Sequence, residues 1–200
     1  FRMSQPATSP SEILQKFPDL PAFVSVDIET SGPVPGMYSI LSIGACLVQD
    51  PSEGYYAELQ PEKLDADPHA LAISGLSIAE LARNGLPPQM AMQQFEHWLE
   101  EHVPPAYKPV FVAFNAPFDW MFINDSFHRH IGRNPFGHFA LDIKAFYMGQ
   151  TGVRLSETSF NKISARYLEN RKLTHNALAD ARDQAEVVYR MLEEASTRKA

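Results

Sequence analysis

Asp27 and Glu29 stand two positions apart in Phe23-Val24-Ser25-Val26-Asp27-Ile28-Glu29-Thr30-Ser31-Gly32. The surrounding Val and Ile predict a buried strand, and in a strand residues i and i+2 share a face. Two carboxylates side by side in apolar surroundings repel each other and are poorly solvated. A bound divalent cation would satisfy both. A strand ending in a turn, with both acids in water, fits the pattern as well.

Two later stretches offer partners. Asn115-Ala116-Pro117-Phe118-Asp119 falls where a predicted strand gives way to a helix, and open α/β sheets place ligands beyond the carboxyl ends of their strands. Asp119 would sit in the first helical turn, where the dipole favours an anion. A merely stabilising acid and an ordinary Asn115 N-cap are the bland readings. Near the C-terminus, Thr174-His175-Asn176-Ala177-Leu178-Ala179-Asp180-Ala181 opens a helix. Asp180 falls off its apolar stripe of Leu178, Ala181, Ala185, Val188 and Leu192, so packing does not demand its burial. His175, five residues earlier, can hover over a metal bound by Asp180. A surface His and a solvated Asp are the alternatives. Asp183, one turn on, reads as solvent-facing.

The elements that must position these groups follow from periodicity and breakers. Residues 1–20, rich in Pro and Ser, read as a flexible lead-in with a short helix at 11–17, ahead of a single domain over 21–197. Strands are predicted at 22–29, 38–48 and 54–59, an antiparallel meander with the second strand central. Short helices broken at Gly75 and Gly85 follow, then a helix over 88–102. A strand at 109–114 would run parallel to one of the first three, because a helix precedes it. Helix 117–131, a short strand at 137–141, a helix capped by Asp142 and a last helix over 176–195 complete the order. This is an α/β chain with a mixed five-stranded sheet.

Composition narrows the rest. A chain of 200 residues with 44% hydrophobic side chains can build one real core. No apolar run approaches the ~18 residues of a membrane span, and no secretory signal is read at the N-terminus. Cys46 stands alone and cannot form an internal disulfide, which suits a reducing cytoplasm. The net charge of −7 does not advertise a nucleic-acid-coating face. If nucleic acid is handled, the grip should be on a short end, with metal ions supplying positive charge.

Three motifs, in order, resemble the DEDD superfamily of 3′-to-5′ exonucleases: Asp27-Ile28-Glu29-Thr30-Ser31-Gly32 followed by Ile40-Leu41-Ser42-Ile43-Gly44-Ala45, then Phe114-Asn115-Ala116-Pro117-Phe118-Asp119, then His175-Asn176-Ala177-Leu178-Ala179-Asp180. The His five residues before the last Asp marks the DnaQ-like DEDDh branch. The resemblance implies a ribonuclease H-like fold with helices on both faces of the sheet. It implies two Mg²⁺ or Mn²⁺ ions held by Asp27, Glu29, Asp119 and Asp180, with His175 as general base. It implies nucleoside 5′-monophosphates released from single-stranded or frayed 3′ ends of DNA or RNA. Thr30, Gly32 and Asn115 would hold the terminal nucleotide, with Phe118 and Met37 or Val34 against bases. Core packing is the competing reading for at least two of Phe114, Phe118, Trp120 and Phe122. Ser42 stands where the family often has an acid, and the loop Pro33-Val34-Pro35-Gly36-Met37 is longer and richer in proline. Some relatives dimerise, so a homodimer is admitted. A catalytically idle binding module and a phosphodiesterase of short oligonucleotides are the alternatives.

Overall fold

The computed structural model describes residues 10–197. Five strands form one mixed sheet in the order β3-β2-β1-β4-β5. They are β1 (Phe23–Thr30), β2 (Ile40–Leu47), β3 (Gly54–Glu58), β4 (Val110–Ala113) and β5 (Ala140–Asp142). The first three are the expected antiparallel meander. β4 runs parallel to β1, and β5 parallel to β4. Two expectations shift. β1, not β2, is central; β2 is buried along all eight residues because both of its faces are covered. The fifth strand begins at Ala140 rather than Gly137, because Gly137 closes a turn at φ +80 with its N–H on Asn134 O.

Among the described residues eight α-helices surround the sheet: α1 (Pro10–Lys16), α2 (Pro68–Ser74), α3 (Ile78–Asn84), α4 (Pro88–His102), α5 (Ala116–His130), α6 (Ile143–Thr151), α7 (Phe160–Tyr167) and α8 (Ala177–Thr197). The break at Gly75 is a left-handed cap closing α2, and Gly85 ends α3. Of the expected flexible lead-in, residues 1–9 lie outside the described residues. Residues 10–20 are instead packed: Ile13 and Leu20 are buried in the core, and Lys16 Nζ bonds the carbonyls of Ala195 and Ser196 on α8.

Strand alternation divides the core in two. Val24, Val26 and Ile28 face α4 and α5, against Phe95, Phe122 and Phe127. On the other face Cys46, Val48 and Val112 meet Ile143, Phe160, Ile163, Ala181, Ala185 and Val188 of α6, α7 and α8. Asp27 and Glu29 have the parity of this second face. Packing accounts for all four aromatics of the second motif: Phe122 is buried, Phe118 and Trp120 lie against the first cluster, and Phe114 against the second.

One glycine sets the approach of α8. Gly44 of β2 is the register partner of Asp27. A Cβ on Gly44 would run into the backbone of Ala177 and Leu178. Its absence lets the first turn of α8 lie directly on the sheet, and that turn holds Asp180.

Candidate active site

β1 and β4 pair only from Phe23 and Val110 to Ser25 and Val112. Beyond this point side chains take over. Asp119 Oδ1 accepts the Ile28 N–H at 3.2 Å, and Gln184 Oε1 accepts the Phe114 N–H at 2.9 Å. The first and second motifs are thereby joined across the widening gap at the carboxyl end of β1.

The third motif closes the site from α8. Asp180, which the sequence reading set off the apolar stripe, is buried: it shares a face of α8 with the buried Ala177 and Gln184, one turn to either side. Its Oδ1 accepts from Thr174 N at 2.8 Å and Thr174 Oγ1 at 2.9 Å, and its Oδ2 from His175 N at 2.8 Å. These bonds hold His175 in the left-handed region at φ +57, a conformation uncommon for a residue with a Cβ. The imidazole is exposed, and its Nδ1 lies 3.9 Å from Glu29 Oε1. Glu29, His175 and Asp180 each offer a ligand atom, all within 4.8 Å of one another. Asp183 is not free in solvent: it accepts from Arg171 at 2.6 Å.

The electrostatics are those of crowded acids. Burial pushes the Asp27 carboxyl well above the usual range, and Asp119, Asp180 and Glu29 push the same way. Burial and then Asp180 bring Glu29 up to about 7. Burial brings Asp119 up to about 8, although the Ile28 N–H restrains it. Burial is the largest influence on each of these three acids, and the charged groups that act on them are other acids. Oxygen donors crowded together without a cation suit a hard divalent ion.

The expected substrate-side residues line the same end of β1. The Thr30 hydroxyl is turned inward onto Gly32 O at 2.9 Å, so only backbone is offered there. Gly32 lies under the Tyr38 ring, with no room for a side chain. Met37 is 63% exposed and Val34 44%, at the tip of a loop closed by Tyr38 N on Val34 O. Asn115 is not the ordinary N-cap: it is left-handed at φ +65, makes no side-chain cap, and its Oδ1 accepts from Lys144 Nζ at 3.3 Å. Phe118 is half-buried against Phe122.

The roles of three residues in placing the acids escaped the sequence reading. Gln184 donates from Nε2 to Asp27 Oδ1 at 2.6 Å. Asp142 caps α6 as expected, at Ala145 N, but its Oδ2 also accepts Ala116 N at 2.7 Å and so fixes the start of the helix bearing Asp119. Gly44 is the third. A polar residue inside the apolar stripe of α8 was the available signal for Gln184. The other two depend on long-range pairing that leaves no local trace.

Solved structures share this architecture. The nuclease domain of 3′hExo, a DEDDh family member bound to rAMP, aligns with a TM-score of 0.74 at 15% identity over 88% of this chain and 94% of that one. Escherichia coli exonuclease I in complex with a dA16 oligonucleotide aligns at 0.65 and 18% identity, over 86% of this chain and 40% of that one. The fold is thus a ribonuclease H-like DEDDh exonuclease fold. Residues 22–192 match the 3′-5′ exoribonuclease Rv2179c-like domain, and the chain belongs to that family. It is 45% identical to the 3′-5′ DNA exonuclease Cap18 of Escherichia coli over 181 residues, 90% of this chain and 96% of that one. The protein is accordingly a 3′-5′ exonuclease. Among the described residues no helix is long and apolar enough to cross a membrane.

Proposed function

We propose that this exonuclease hydrolyses single-stranded or frayed 3′ ends, releasing nucleoside 5′-monophosphates, with two divalent ions held by Asp27, Glu29, Asp119 and Asp180. The supporting observation is the crowding of these four carboxylates, with the His175 imidazole 3.9 Å from Glu29. When bound, Mg²⁺ or Mn²⁺ would lower the pKa of the attacking water and offset charge on the departing 3′-oxygen. His175 takes the proton of that water as general base. Its exposure leaves it free to meet the water. The backbone at Thr30 and Gly32 and the Asn115 amide hold the terminal nucleotide. Met37 or Val34 lies against its base, and Phe118 forms the apolar floor beside it. Identity to a named DNA exonuclease favours DNA, whereas the family's name is that of an exoribonuclease.

The test uses 5′-end-labelled DNA and RNA single strands of graded length with Mg²⁺ or Mn²⁺. A ladder shortening from the 3′ end, abolished by EDTA and by Asp27→Ala, is expected, with DNA cut faster. Turnover confined to the shortest strands would favour a phosphodiesterase of short oligonucleotides. No product with any metal would overturn the reading and leave a binding module.

A further inference from the structure

Gln184 lies on α8 one turn beyond Asp180 and is 1% exposed. The apolar stripe around it is filled by Ala181, Ala185, Val188 and Leu192, so packing alone would be served by a Met or Leu. A buried amide is tolerated only where its groups are bonded. Both ends of this one are: Oε1 accepts Phe114 N–H at 2.9 Å, and Nε2 donates to Asp27 Oδ1 at 2.6 Å. The orientation is not interchangeable. A backbone N–H can only donate, so Oε1 must face Phe114, and the amide NH₂ must face Asp27. One side chain therefore links β1, the end of β4 that leads into α5, and α8.

We propose that Gln184 is the positioning residue of Asp27. It fixes the rotation of the carboxylate by holding Oδ1, and leaves Oδ2 and the remaining lone pair of Oδ1 for the ions. This rests on the two-metal reading and extends it from the ligands to the group that orients the innermost of them. Partners of this kind are typically worth ~10–100-fold in metal affinity or activity.

Two variants separate positioning from scaffolding. Gln184→Glu keeps the size of the side chain and an acceptor for Phe114 N–H, but places an oxygen where Asp27 needs a donor. Gln184→Met keeps the volume and loses both bonds. In steady-state hydrolysis of a labelled oligonucleotide, both should lower kcat by ~10-fold or more with KM within about threefold. The Mn²⁺ concentration giving half-maximal rate should rise in both. Wild-type kcat in Gln184→Glu, with loss confined to Gln184→Met, would show that only the tie to β4 matters and overturn the proposal. A measurement on the wild type needs no variant at position 184: the Gln184 side-chain N–H resonances should shift on Mg²⁺ addition and stay in place in Asp27→Asn. Resonances indifferent to Mg²⁺ in the wild type would also overturn it. Wild-type hydrolysis unaffected by EDTA would instead remove the metal reading beneath it, whatever the variants do.

Discussion

At the scale of single residues, the site is a set of groups each held away from its ordinary chemistry. Glu29 and Asp119 hold their protons up to about 7 and about 8, against ordinary values of 4.5 and 3.8. Between those limits the native state binds more protons than the unfolded chain, so stability falls as pH rises through the window. The penalty is absent below the ordinary values and complete above the raised ones. Metal-free protein should therefore melt at a lower temperature near pH 8 than near pH 5.5, as followed by calorimetry in EDTA. Added Mn²⁺ should raise the melting temperature more at the higher pH, because ions bind the deprotonated acids. A melting temperature that climbs across this window would contradict the crowding. His175→Ala should lower kcat by ~10²-fold or more if the imidazole is the base. The pairing of Asp27 with Glu29 and the His175 to Asp180 spacing were legible in the sequence because each is local. The burial of Asp180 and the amide on Asp27 were not, since both depend on where α8 lands.

At the scale of elements, the acids are placed by what surrounds them. Gly44 admits the first turn of α8, and Asp142 starts both α5 and α6. Gly44→Ala should destabilise by ~1–3 kcal/mol, the usual cost of forcing atoms into a packed contact. It should also lower activity, because the displaced turn bears Asp180; denaturant unfolding and the exonuclease assay read the two effects. Asp142→Ala removes the caps of two helices and should cost ~1 kcal/mol for each, with activity lost alongside as Asp119 loosens. A change in stability with untouched activity would show that these anchors do not position the acids. Helix boundaries were readable from caps and breakers such as Gly75. The order of strands was not: β1 became central through its parallel pairing with β4, far along the chain, which periodicity cannot report.

At the scale of the whole molecule, three separated motifs meet at one end of the central strand, and their order in the sequence was enough to reveal the class. The substrate was not legible in the same way. The net charge of −7, and acids whose charged neighbours are other acids, argue for a short grip on the strand. Each neutralised phosphate of a single strand contributes ~0.7 to the salt slope of binding, so log(1/KM) should fall with log salt on a slope shallower than about −3. A steep slope would demand an extended basic track. The central claim is that Asp27, Glu29, Asp119 and Asp180 hold the ions while His175 moves the proton. Mn²⁺ titration calorimetry of the wild type, Asp27→Asn and His175→Ala tests it most directly. Binding lost in Asp27→Asn but retained in catalytically crippled His175→Ala is expected; full Mn²⁺ affinity in Asp27→Asn, or its collapse in His175→Ala, would contradict the assignment.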